Sequence, residues 1–183
     1  MAQCWRGEYA VRRSEGALAI PFHLLVLGYG NPGRYDDGLG PALVARLEDH
    51  PRLRGATLES NYQLVVEDAA EVARHDVVVF VDASVNGPEP FEWREIRPGT
   101  MVGPGTHVLS PEAVLMIARE VFGACPRAYA LAIRGYRFDD VGEGLSERAR
   151  ANLDAAVEFL DSWVAEALVA ARSPAEPSVE ETR

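Results

Sequence analysis

The chain alternates short apolar runs with longer stretches of helical spacing. Residues 22–27 form a nearly continuous apolar run and predict a buried first strand. Over 38–50, Leu39, Leu43 and Leu47 recur on one face with Pro41 in a first turn, which predicts the first helix. Residues 57–61 read as a short second strand, and 67–74, with Ala70 and Val72, as a short helix. The run 77–81 is wholly apolar and ends at Asp82, the pattern of a central parallel strand covered on both faces. Residues 91–97 alternate in polarity between Pro90 and Pro98 and predict an edge strand. Ser110 and Pro111 supply an N-cap and a first-turn proline for a helix running to about Phe122. A last core strand covers 127–133, and Ser146 caps a long helix carrying Leu153, Val157, Leu160, Val164 and Leu168 on one stripe. Strands alternating with helices in this way predict an α/β protein, a three-layer α/β/α sandwich around a mostly parallel sheet of about five strands.

Composition narrows the class. A chain of 183 residues with 48% hydrophobic and 25% charged positions can bury its own core as one domain. The reading divides it into a flexible extension over 1–20, a single α/β domain over 21–172 and a disordered acidic tail over 173–183. Eighteen basic against 28 acidic residues, net charge -10, argue against nucleic acid, whose phosphates call for a basic face. Cys4 and Cys125 stand far apart without a CxxC, so neither a disulfide framework nor a zinc clip is indicated, and a reduced, cytoplasmic setting is expected. Residues 1–10 lack the apolar core of a signal peptide, and no run approaches the ~20 apolar residues of a membrane span.

The chemistry gathers after the first strand, in Gly28-Tyr29-Gly30-Asn31-Pro32-Gly33-Arg34-Tyr35-Asp36-Asp37-Gly38. The stretch contains GxGxxG, yet a pyrophosphate at such a turn needs free backbone N–H groups and a positive helix end. Pro32 removes one donor, and Asp36 and Asp37 bring negative charge, so the turn is built for a cation. Open α/β sheets carry their chemistry beyond the carboxyl ends of the strands. Asp37 falls there, as do Asp82 at the end of the central strand and His107 in the loop before the Ser110 helix. Two carboxylates and an imidazole suit a divalent iron, nickel or zinc ion, if the fold brings them together. Asp36 is read as a charge favouring the start of the following helix. Asn31 either organises the turn or lines the site, Gln63 is a candidate for docking substrate, and Cys125 is expected to be a buried small apolar residue. His23, His50 and His75 are left outside the site.

The run Leu24-Leu25-Val26-Leu27-Gly28-Tyr29-Gly30-Asn31, followed by Asp36-Asp37-Gly38, resembles the N-terminal signature of the [NiFe]-hydrogenase maturation endopeptidases. The likeness continues in order through Tyr62-Gln63-Leu64, the strand-ending Asp82-Ala83, Thr106-His107-Val108-Leu109-Ser110 and Leu145-Ser146, covering residues 23 to about 165.

This resemblance implies a protease that trims the C-terminal extension from a hydrogenase large-subunit precursor after nickel insertion. It implies that Asp37, Asp82 and His107 contact a nickel ion carried by the substrate rather than held permanently. In some family members the second acid of the triplet is glutamate; Asp37 is one methylene shorter, which changes reach and not chemistry. The three side chains would read the metal and place the scissile bond near it. Then either the metal polarises the carbonyl, or Asp37 or Asp82 acts as general base for a water. The expected partner is the precursor, met by a monomer, with neither nucleic acid nor membrane involved. Alternatives come from other classes. Asn31-Pro32-Gly33 also resembles the opening of bacterial peptidyl-tRNA hydrolases, although their histidine-asparagine pair is here replaced by Asp36-Asp37-Gly38. A nucleotide-binding α/β protein would use the GxGxxG, and a chaperone-like sensor would bind precursor without cutting it.

Overall fold

The computed structural model describes residues 22–99 and 109–172, with side chains as far as 169. The extension over 1–20, the tail over 173–183, most of the loop before Leu109 and with it His107 lie outside the described residues. The elements are β1 (Leu24–Tyr29), a 3-10 turn (Tyr35–Gly38), α1 (Leu39–Leu47), a second 3-10 turn (Pro51–Leu53) and β2 (Thr57–Asn61). They continue with α2 (Asp68–Val72), β3 (Val77–Ser84), β4 (Phe91–Ile96), α3 (Pro111–Phe122), β5 (Arg127–Arg134) and α4 (Glu147–Arg172). The five strands make one sheet in the order β2-β1-β3-β5-β4, all parallel except β4, which pairs antiparallel with β5.

Helices cover both faces, as the continuous apolar runs of β1 and β3 require. On one face α1 and α4 bury Val26, Val79, Val81, Leu131 and Ile133; on the other, α2 and α3 bury Leu25, Leu27, Val78 and Phe80. All five residues of the expected α4 stripe, Leu153, Val157, Leu160, Val164 and Leu168, are buried. α3 starts and stops where its punctuation demands. The Ser110 hydroxyl accepts from the Ala113 N–H at 3.2 Å, Pro111 occupies the first turn, and Gly123 ends the helix at φ 67°.

Three boundaries differ from the sequence reading for physical reasons. β1 begins at Leu24 because His23 turns its N–H and its ring to the Asp76 carboxylate at the sheet's amino end. β3 runs past Asp82 to Ser84, since β5 continues to pair with it through Arg134. The helix expected over 38–50 is α1 from Leu39 to Leu47, and a 3-10 turn over Tyr35–Gly38 that the spacing did not predict leads into it. The edge strand β4 is protected by aromatic packing: Trp93 stacks on Tyr129 at 4.6 Å between centroids and meets Trp163 of α4 edge-on at 5.3 Å. Among the described residues no helix is long and apolar enough to cross a membrane.

α1 crosses directly over the carboxyl ends of β1 and β3, and Gly40 makes that crossing possible. A Cβ at Gly40 would lie 2.6 Å from the Val81 carbonyl oxygen and closer still to that of Tyr29. The start of the helix is therefore pressed against the point where the chain leaves β1 for β2 on one side and β3 lies on the other. This is the topological switch point of the sheet, where open α/β proteins hold their crevice.

Candidate functional site

Asp37 stands in the 3-10 turn just above the end of β1. Its Oδ2 accepts from the Asn31 N–H at 3.0 Å, and its own N–H donates to the Arg34 carbonyl at 3.2 Å. Asn31 holds the turn a second way, its Oδ1 accepting from the Gly33 N–H at 2.9 Å. The turn thus uses Asn31 as an organiser, the first of the two roles expected of it.

Asp82 lies on β3, one residue beyond the register pair Gly28–Val81, and so stands beside Tyr29 of β1 on the same face of the sheet. The Tyr29 hydroxyl donates a hydrogen bond to the Asp82 carboxylate, and the Ala83 N–H donates to Asp82 Oδ1 at 2.7 Å. Burial pushes the Asp82 pKa up to about 6; the two hydrogen bonds oppose this, and the negative charge of Asp37 adds to it. Tyr29 keeps its proton far above the usual phenol range, chiefly because it is buried and then because it faces the Asp82 charge. The Arg94–Glu112 ion pair, 3.0 Å, lies within electrostatic reach of the same hydroxyl.

The fold thus brings Asp37 and Asp82 together, close enough for one charge to perturb the other. Two carboxylates at the same end of the sheet, the charge of one adding to the resistance of the other to ionisation, form a place that favours a cation. They fit a hard or borderline divalent ion as oxygen donors. Among the described residues no group of three His, Cys, Asp or Glu side chains is assembled to hold a metal by itself. Gln63 is exposed in the segment after β2, at the same carboxyl end of the sheet but without a described contact to the two acids. His50 pairs with Asp161 at 3.5 Å, and His75 bonds to Glu71 and Thr57, so with His23 all three stand away from the crevice. Cys125 is half-buried in the turn before β5 rather than buried as expected.

Asp36 behaves differently from the helix-end charge expected of it. It is 0% exposed and points away from the crevice into the loop between β5 and α4, where its oxygens accept from Tyr136, Arg137 and Ser146. Burial alone would raise its pKa, but these bonds outweigh burial and hold the carboxyl below the usual range. Sequence reasoning missed this role and that of Tyr29. Both depend on partners remote in the chain, and only Ser146, already singled out as a cap, carried a local signal.

The turn also answers the dinucleotide reading. Every N–H between Gly30 and Asp37 is already bonded within the protein: Gly30 to Asn61, Asn31 to Asp37, Gly33 and Arg34 to Asn31, Tyr35 to Gly142, Asp36 to Arg137 and Asp37 to Arg34. Pro32 has none. No backbone N–H between Gly30 and Asp37 is left to cradle a phosphate.

Solved structures share this architecture. The [NiFe] hydrogenase maturation protease HycI from Thermococcus kodakarensis superimposes with a TM-score of 0.62 at 22% identity, covering 78% of this chain and 92% of that one. The hydrogenase 2 maturation peptidase of a Thaumarchaeota archaeon gives 0.58 at 20% identity, over 78% of this chain and 98% of that one. The hydrogenase maturating endopeptidase HybD from E. coli gives 0.57 at 20% identity, over 79% and 93%. No protein-family model matches the sequence, and a search of curated proteins finds no match. The chain has the α/β fold of the hydrogenase maturation proteases, with a five-stranded, mostly parallel sheet flanked by helices.

Proposed function

We propose that this protein is an endopeptidase that removes the C-terminal extension of a [NiFe]-hydrogenase large-subunit precursor once nickel has been inserted. The observation that carries the reading is the pairing of Asp37 and Asp82 at the switch point of a sheet whose fold is that of maturation proteases. In this reading the two carboxylates, with His107, contact the nickel already held by the precursor, so that precursor without metal is left uncut. Asn31 keeps Asp37 in place through its N–H, and Tyr29 does the same for Asp82 through its hydroxyl. Gln63 contributes to docking the precursor. Nickel enters as part of the substrate. Its positive charge offsets the repulsion between the two acids, so their affinity for loaded precursor exceeds that for empty precursor, which is what a check on metal insertion requires. Holding the metal site also holds the adjoining peptide against the crevice, which lowers the entropic cost of reaching the reacting geometry.

The test is the intact mass of the hydrogenase large subunit in the native host, with the gene deleted and then restored as wild type or Asp82→Asn. A subunit that keeps its extension in the deletion and in the variant, and loses it with wild type, is the expected result. Normal trimming in the deletion strain would overturn the assignment.

A further inference from the structure

One side chain, that of Asp36, makes four of the bonds that fasten the loop over 135–146, between β5 and α4, to the turn that carries Asp37. Asp36 Oδ1 accepts from the Ser146 N–H at 2.7 Å, while Oδ2 accepts from the Tyr136 N–H at 2.8 Å, the Arg137 N–H at 3.0 Å and the Ser146 hydroxyl at 2.7 Å. Further bonds run along the same seam. The Tyr35 N–H donates to Gly142 at 3.0 Å, the Gly142 N–H to Gly33 at 2.8 Å, and the Arg34 guanidinium to the Phe138 carbonyl at 3.1 Å. The Arg137 guanidinium lies over the Tyr35 ring, 3.4 Å from its centroid, and Tyr35 takes the left-handed φ of 51°, rare for a bulky residue. A turn held in that conformation needs outside support, and the loop supplies it.

The same seam shapes a cleft. About 290 Å³ of space opens between Pro32, Gly38, Pro41 and Ala42 on the turn side and Gly144 and Leu145 on the loop side. Its lining, which includes the Tyr35 ring, is mainly apolar, and its volume lies just below the about 300–1,000 Å³ typical of small-molecule pockets. Gly38, on its wall, directly follows Asp37. The two neighbouring acids therefore serve different partners: Asp37 accepts from the Asn31 N–H in its own turn, and Asp36 from the loop that forms the other wall of the cleft. Asp37 has its own supports in Asn31 and Arg34, so loss of the Asp36 bonds loosens the loop without releasing Asp37.

We propose that Asp36 is a positioning residue that sets substrate affinity: it fixes the loop over 135–146 as one wall of an apolar subsite, which receives an apolar side chain of the precursor peptide beside the scissile bond. The inference rests on the peptidase reading above. The occupant is an apolar side chain because the lining of the cleft is mainly apolar and three of its lining residues, Pro32, Tyr35 and Gly38, belong to the turn that carries Asp37.

The test is the cleavage of nickel-loaded precursor over a concentration series by wild type, Asp36→Asn, Ser146→Ala, Ser146→Thr and Ala42→Leu. Asp36→Asn is expected to raise KM about tenfold or more while kcat stays within about twofold, the mark of lost uniform binding. Hydrogen exchange should speed up at Tyr136, Arg137 and Ser146. Ser146→Ala should move KM the same way by less, and Ser146→Thr, which keeps the hydroxyl, should restore it. Ala42→Leu, which fills the cleft and leaves the Asp36 bonds to the loop in place, should also raise KM. An unchanged KM in folded Asp36→Asn with faster loop exchange, or a loss confined to kcat, would overturn the inference. Should Asp36→Asn fail to fold, equal KM values for Ser146→Ala and wild type overturn it instead. Wild type that cuts no precursor refutes the peptidase reading itself, a result distinguishable from all of these.

Discussion

The Tyr29 hydroxyl donates a hydrogen bond to the Asp82 carboxylate across the parallel pair β1 and β3, on the face of the sheet covered by α2 and α3. With the Ala83 N–H on the other side, it leaves Asp82 oriented before any ligand arrives.

Tyr29→Phe removes that donor and keeps the ring. The bond favours the ionised acid, so its loss should raise the Asp82 pKa further above about 6. A carboxyl-carbon NMR titration of Asp82 in the two proteins measures this directly. Coincident curves would show that the hydroxyl does not hold the carboxylate.

Asp82 makes the fold less stable as it ionises. Its folded pKa, about 6, exceeds the usual 3.8, so its contribution is fully present below 3.8 and is lost as pH rises through 6. Asp82→Asn should therefore unfold in urea with wild-type stability near pH 4 and with a gain of up to about 3 kcal/mol at pH 8, while processing is abolished. A variant that is less stable than wild type at pH 8 contradicts this account of the buried charge.

For Asp36 the sign is opposite. Its folded pKa is lowered, so its stabilisation is present above the ordinary carboxylate range and disappears as pH falls through the folded value. Asp36→Asn, which turns an amide donor towards the N–H groups of the loop, should cost about 2–4 kcal/mol at pH 7 and progressively less in acid. Urea melts at pH 7 and at pH 3 test it; a cost independent of pH would assign the effect to packing.

Gly40→Ala should destabilise by about 3 kcal/mol, because the new methyl meets the backbone carbonyls of Tyr29 and Val81. Gly123→Ala, at φ 67° with open space around it, should cost only about 1 kcal/mol from backbone strain. Thermal melts of the pair separate collision from conformation, and equal losses would refute the close crossing of α1 over the strands.

Much of the fold was legible in the chain because its signals are local. The apolar stripe of α4, the Ser110 cap with Pro111, and the double-sided apolar run of β3 each state their structure within one element. Asp37 and Asp82 could be nominated for the same reason: each follows or ends a buried parallel strand, and strand ends are where such sheets work. Where β3 ends was not legible, since its last residues stay in strand only because β5 pairs with them.

The layered α/β architecture, the acidic turn after β1 and the unsuitability of that turn for phosphate could all be read along the chain. Each follows from periodicity, from proline's missing N–H and from charge within a few residues. That Tyr29 stands beside Asp82, and that of two adjacent aspartates Asp37 stays in its own turn while Asp36 is buried against Tyr136, Arg137 and Ser146, came from the packed molecule alone. Register between β1 and β3 and the return of the chain before α4 create those contacts, and both are set by packing among elements far apart in sequence, which no local pattern encodes.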